Sequence, residues 1–144
     1  MRIITLGTFD ILHAGHLKLF RICRELAGAD QVIVALNSDA FVKAFKGHFP
    51  IMDYQERADM IILTGLVDIV VPNDQWRVGS SALSTINSTG AKLIVIGTDW
   101  LGKDYLGQLG VTIKDLEKHG ISLCYEPRIG NISTTEIKKR ICSQ

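Results

Sequence analysis

The sequence predicts an α/β fold, a doubly wound five-stranded parallel sheet with helices on both faces, in a single domain over residues 1–144. Three observations predict it: short apolar runs rich in β-branched residues recur along the chain, segments at helical spacing lie between them, and the links are short. Parallel strands covered by helices on both sides need continuous apolar runs rather than alternation.

The elements follow in order. Ile3 to Leu6 forms the first run and stops at Gly7. In Gly15 to Ala27, the residues Leu19, Phe20, Cys23, Leu26 and Ala27 share one helical face, which Leu17 and Ile22 widen. Val32 to Leu36 is the second strand. Asp53 with Glu56 three residues on has the spacing of a capping box, and the helix it opens runs through Met60 to Leu63 before Gly65 ends it. Ile69 to Val71 is the third strand. Asn73 to Gly90, rich in Ser, Thr, Asn and Gly, reads either as an excursion above the sheet or as an irregular helix with polar faces, with helical character over Ser80 to Ile86. Leu93 to Ile96 and Ser122 to Tyr125 complete the strands, separated by a helix from Thr112 to His119 that Gly120 closes. The last helix opens at Ser133, again with Glu136 three residues on, and continues to Ile141. Such alternation specifies right-handed crossovers and a Rossmann-like sheet, in which ligands sit beyond the carboxyl ends of the strands.

Composition narrows the function. Hydrophobic residues make up 47% and charged residues 22%, the balance of a folded globular protein. Sixteen basic against fifteen acidic residues leave a formal charge of +1, so no global field recruits nucleic acid or an anionic membrane, and any anion must be held locally. The apolar run within Met1 to Leu6 is too short for a signal peptide or a spanning helix, so a cytoplasmic protein is expected. Cys23, Cys124 and Cys142 are odd in number and widely spaced, which suits buried or incidental thiols better than a disulfide framework or a metal clip.

The chemistry concentrates after the first strand, where Gly7-Thr8-Phe9-Asp10 leads through Ile11 and Leu12 into His13-Ala14-Gly15-His16 and the first helix. A glycine at a strand exit lets a ligand approach the backbone, and a helix start presents N–H groups and partial positive charge to it. Two imidazoles three residues apart around Gly15 add donors in the space a phosphate would fill. Two other readings stand beside this one. His13 caps the turn while His16 merely starts the helix, or the pair holds one metal ion, although no carboxylate or thiol at matching spacing completes a ligand set locally.

These residues resemble the signature of the cytidylyltransferase-like nucleotidyltransferases with their His-x-Gly-His motif. Ile132-Ser133-Thr134-Thr135 resembles the second signature of that family, with Arg128 where its arginine stands, and Tyr54-Gln55-Glu56-Arg57 resembles a segment carrying a nucleotide-contacting arginine. The similarity of motifs covers residues 1–72 and 92–141. The resemblance implies transfer of a nucleotidyl group from a nucleoside triphosphate to a small phosphorylated acceptor with release of pyrophosphate, Mg²⁺ bound mainly through the nucleotide phosphates, and a homodimer. His13, His16, Lys43, Lys46 and Arg128 are then the catalytic cations and donors. Gly7, Thr8, Phe9, Asp10, Gly15, Arg57, Ile132, Ser133, Thr134 and Thr135 are the nucleotide-binding residues.

The attacking phosphate is already ionised at neutral pH, so such a site needs no base and no covalent nucleophile. It needs two mutually repelling anions aligned and the developing charge neutralised. Plainer roles compete. Lys43 and Lys46 also fit a solvated helix face, Arg57 a surface pair with Asp53 or Asp59, and Ser133 a simple cap. The doubled Thr134 and Thr135 favour a phosphate site, because capping alone needs one hydroxyl.

Gly97-Thr98-Asp99-Trp100-Leu101-Gly102-Lys103 is similar to a stretch of the glycerol-3-phosphate cytidylyltransferase branch. On that reading CTP is the nucleotide, a small polyol phosphate the acceptor, and Asp39, Asp99, Trp100 and Lys103 its contacts. The run from Leu36-Asn37-Ser38-Asp39 to Lys46-Gly47 and Pro50 is closer to heptose-type adenylyltransferases. Ile129, Gly130 and Asn131 replace the usual Thr-Glu-Gly of the second signature. A flavin-type adenylyltransferase and a nucleotide-binding module without turnover are the remaining alternatives.

Overall fold

The computed structural model describes residues 1–75, 81–98, 102–127 and 132–144. Five strands, β1 (Ile3–Gly7), β2 (Val32–Asn37), β3 (Ile69–Asn73), β4 (Leu93–Gly97) and β5 (Ser122–Glu126), form one sheet in the order β3-β2-β1-β4-β5. Every strand pairing among the described residues is parallel, and Ile4 sits between Ile33 and Ile94 in the central register. Each strand runs one or two residues past its apolar run, because the ladder continues after side-chain burial has stopped dictating residue type.

The helices are α1 (Ala14–Ala27), α2 (Asp39–Lys46), α3 (Tyr54–Leu63), α4 (Leu83–Thr89), α5 (Tyr105–Leu109), α6 (Ile113–His119) and α7 (Thr134–Cys142). Alternation along the strands divides the core in two. Ile3, Val32, Val34 and Val95 pack against Phe20 and Cys23 of α1 and Ala58 and Ile61 of α3. Ile4, Ile33, Ile94 and Ile96 pack the other way, against Ile86 of α4, Leu109 of α5 and Leu116 of α6. That is the doubly wound arrangement expected, with the sheet buried on both faces.

Two helices go beyond the expectation. α2 is capped by the Ser38 hydroxyl, which accepts from the Phe41 amide, and it buries only Phe41 and Val42. α5 is a single capped turn that buries Tyr105 and Leu109. Within Asn73 to Gly90 the helix is α4, starting later than Ser80, with Ile86 as its buried anchor; residues 76–80 lie outside the described ones.

Arg57 of α3 is fully buried at 0% exposure. Its guanidinium donates to the carbonyls of Met52 at 3.0 Å, Thr8 at 2.8 Å and Asn37 at 2.9 Å, and to Asp39 Oδ1 at 2.6 Å. The surface pair with Asp53 or Asp59 does not form. The expected nucleotide contact also needs correction, because the guanidinium is enclosed and engaged by protein oxygens from four segments. Asp39, expected at the acceptor, spends its carboxylate on Arg57 and on the Tyr54 amide at 3.2 Å.

Removing one partner of a buried charged cluster typically costs about 3 to 5 kcal/mol. Arg57→Met should therefore lower unfolding free energy by about 3 kcal/mol in urea titrations, and a loss below about 1 kcal/mol would mean that the cluster braces nothing.

Candidate active site

The last residue of every strand, Gly7, Asn37, Asn73, Gly97 and Glu126, lines one cleft of about 400 Å³. Thr8, Phe9, Asp10, His13, Gly15 and His16 line it from the β1–α1 connection, Lys46 from α2, and Ile132, Ser133, Thr134 and Thr135 from the start of α7.

The two histidines build the start of α1 themselves. His13 is its N-cap, with Nδ1 accepting from the Gly15 amide at 3.0 Å, while His16 Nδ1 accepts from the His13 amide at 3.3 Å. This is a reciprocal capping box made of imidazoles. The rings stack with centroids 3.7 Å apart and planes 25° apart. Because each Nδ1 accepts, each neutral ring carries its proton on Nε2. The sequence leads one to expect bare amides facing the ligand; two of them are instead taken up by rings, which carry donor character outward from the helix end. The capping reading and the phosphate reading are thus compatible.

Neighbours hold this pair in place. Phe9 adopts a left-handed φ of 47°, and its ring meets His16 edge-on with centroids 5.3 Å apart and lies 5.1 Å from Phe20. A Cβ at Gly15 would come within 2.9 Å of the His13 ring, so the stacked pair requires glycine between them.

Asp10 is 6% exposed. It accepts from the amides of Ile51 and Met52, both at 2.9 Å, and pairs with Lys138 of α7 at 3.2 Å. Burial pushes its carboxyl up, but the two amides and Lys138 outweigh that and leave it below the usual range. Its oxygens therefore tie the α2–α3 link and α7 to the β1 exit, where the resemblance implied a nucleotide contact. Ser133 caps α7 by accepting from the Glu136 amide at 3.0 Å, and the Thr134 hydroxyl donates to the Ile11 carbonyl at 3.3 Å. Thr134 thus docks the second motif onto the first with the one proton its hydroxyl has to give.

Lys46 reaches the cleft wall, and partial burial of its ammonium against the cleft, reinforced by Lys138 and Arg57 and opposed by Asp10, lowers its pKa. Lys43 does not line the cleft; its exposed ammonium donates to the Gly47 carbonyl at the end of α2. This is the plain helix-face contact. Lys103 is exposed ahead of α5 and is not part of the lining. Arg128, Asp99 and Trp100 lie outside the described residues. The sequence reading missed Lys138, which lies one helical turn after Thr134 and so faces the same way. It also gave no role to Asn37, which lies in the quoted Leu36-Asn37-Ser38-Asp39 run, nor to Asn73 and Gln75, which belong to no motif.

A family model described as cytidylyltransferase-like matches residues 4–140, including the stretch between the motifs. The chain is 35% identical over 145 residues to a glycerol-3-phosphate cytidylyltransferase of Bacillus spizizenii, covering 99% of this chain and 98% of that one. Its identity to the enzyme of the same name from Staphylococcus aureus is 34%, covering 97% and 94%. A bifunctional protein HldE of Campylobacter concisus is 41% identical over 106 residues, which are 73% of this chain and 21% of HldE. The lipopolysaccharide core biosynthesis protein of Thermoplasma volcanium shares the fold, with a TM-score of 0.68 at 23% identity over 92% of this chain and 98% of that one. The chain belongs to the cytidylyltransferase-like family, and it is a nucleotidyltransferase.

Two tests follow from this geometry. A donor aimed at charge that develops in the transition state contributes ~10² to 10³ in rate. His16→Ala should lower kcat by that factor while nucleotide affinity changes little; unchanged kcat with a lowered melting temperature would leave His16 only its capping role. Asp10 stabilises the fold fully above the ordinary carboxylate pKa of about 3.9, and the contribution is lost as pH falls through its lowered folded value. Asp10→Asn should therefore be less stable than wild type at neutral pH, with the gap closing only below about pH 4. A gap that stays constant down the same pH series would exclude the carboxylate charge as its source.

Proposed function

We propose that the chain transfers CMP from CTP to a small polyol phosphate of the glycerol 3-phosphate type, releasing pyrophosphate, as a cytoplasmic homodimer. The observation that carries the chemistry is the imidazole pair held as Nε2–H donors at the exit of the central strand, in one cleft with the hydroxyl-rich start of α7. An ionised oxygen of the acceptor phosphate attacks the α-phosphorus, a new P–O bond forms, and the bond to the bridging oxygen breaks, its electrons leaving with pyrophosphate. His13 and His16 offer N–H donors to the α-phosphate, and Lys46 and Lys138 lower the repulsion between the anions.

Among the described residues no cluster of three His, Cys, Asp or Glu side chains is disposed to hold a metal ion. Asp10, the carboxylate nearest the motif, is committed to two amides and a lysine. A donor-rich cleft fits the phosphates, so Mg²⁺ is expected to enter on the β- and γ-phosphates and to supply charge neutralisation there.

The choice of CTP and a polyol phosphate is supported by end-to-end similarity to enzymes named glycerol-3-phosphate cytidylyltransferase. Similarity to HldE proteins keeps an adenylyltransferase acting on a sugar 1-phosphate as the second reading. Pyrophosphate release with CTP and ATP, each crossed with glycerol 3-phosphate and with sugar 1-phosphates, decides between them. Highest kcat/KM is expected for CTP with glycerol 3-phosphate. Preference for ATP with a sugar 1-phosphate would move the chain to the second reading, and no turnover with any pair would leave a nucleotide-binding module.

A further inference from the structure

One polar feature of the cleft has no part in the chemistry above. Asn37 and Asn73 end β2 and β3 and face each other in register, and Thr8 directly follows β1. The Asn73 amide donates to Asn37 Oδ1 at 2.9 Å, and the Asn37 amide donates to Thr8 Oγ1 at 3.0 Å. Three adjacent strands thus contribute a continuous hydrogen-bonded row along the cleft. Gln75, two residues after Asn73, lines the same cleft: its Nε2 donates to the Gln108 carbonyl at 2.7 Å, while its Oε1 is buried with no partner among the described residues. Asn37 and Asn73 are 8% and 3% exposed. Buried amides are costly to keep beside an apolar core unless they serve structure or a ligand, and a buried oxygen with no partner calls for a donor.

We propose that the Thr8–Asn37–Asn73–Gln75 row is the subsite that reads the hydroxyl groups of the acceptor. The inference rests on the phosphorylated acceptor proposed above and assigns its specificity to the ends of three adjacent strands, with Asn73 and Gln75 outside the motifs. The row is neutral, and amides both donate and accept, so it suits hydroxyls, which do the same, rather than a second phosphate. Its ends differ. Thr8 accepts from Asn37, which leaves its own O–H to donate beside the histidines, where the acceptor's phosphate must lie; the amide oxygens of Asn73 and Gln75 stand at the far end to accept from hydroxyls. Neighbouring strands are ~4.8 Å apart, so Thr8 to Asn73 spans about 10 Å, the reach of a short polyol phosphate. The other half of the cleft, over Gly97 and Glu126, is left for the nucleoside.

The test is a substrate–variant cycle. Glycerol 3-phosphate and its hydroxyl-free counterpart, n-propyl phosphate, are compared in wild type, Asn73→Ser and Gln75→Met, by steady-state kinetics and by calorimetric titration of acceptor. Both variants should raise the KM and Kd of glycerol 3-phosphate by about tenfold, with kcat and the KM of CTP within about twofold. Propyl phosphate should be handled equally by all three proteins, because the hydroxyl and the group that reads it are lost together. Gln75→Met preserves length and leaves the strand ends intact, so it stands if Asn73→Ser folds poorly. Equal penalties on the two acceptors would overturn the row, as would a rise in the KM of CTP alone, which would place the nucleobase there. If wild type instead prefers a sugar 1-phosphate, the proposed substrate fails, and the same cycle with that sugar and its deoxy forms judges the row. If wild type neither turns over nor binds any phosphorylated acceptor, both proposals fall.

Discussion

The cleft depends on one buried cation. Desolvating a guanidinium is tolerated only when its donors are met, and Arg57 meets them with oxygens from the β1 exit, the end of β2, the start of α2 and the α2–α3 link. Thr8 and Met52 lie outside the strands and helices, and Asn37 and Asp39 stand at the last residue of β2 and the first of α2. The Thr8 carbonyl is held on the side of the residue opposite its bond to Asn37, and the Asn37 carbonyl is held while its side chain stays in the row. Asp10 repeats the device with opposite charge, gathering two amides of the same link and one lysine of α7. The two charged centres position the loops from beneath, while the apolar layers fix only the sheet and the helices.

Above that floor, the two rings that cap the helix are the same two that line the cleft. In many sites a third residue must set a histidine's tautomer; here the backbone amides of Gly15 and His13 do so. The stacked geometry then needs no reorganisation when charge develops, which is the condition under which a donor contributes most to rate. Phe9 in its left-handed conformation and the missing Cβ of Gly15 serve that geometry. The spacing of the motif therefore reflects the room available around the rings.

The strands were legible because a run buried on both sides leaves an unbroken apolar signature, and the helices around α1, α3 and α6 because caps and periodicity agree. α2 and α5 were not, although Ser38 and Asp104 cap them as Thr112 caps α6. At the site, the motifs located the cleft correctly, and His13, His16, Lys46 and Ser133 all line it. What the sequence could not reveal was the partner. Arg57 looked like a ligand contact because Asp39, 18 positions away, gives no local sign of pairing with it. Asp10 lines the cleft as expected, but its amide partners lie 41 and 42 positions on and gave no local sign either. Asn73 and Gln75 belong to no motif and show themselves only when the strand ends are seen side by side.

α7 differs from the other helices of the cleft in burying no residue fully. Its recorded links to the β1–α1 connection are polar, Thr134 to Ile11 and Lys138 to Asp10, and the first of these joins residues 123 positions apart. The histidine pair and the hydroxyls that face it across the cleft are therefore joined by polar contacts and not by a shared apolar core. A polar seam can open without exposing apolar surface, so the two walls of the cleft can part while the sheet stays folded.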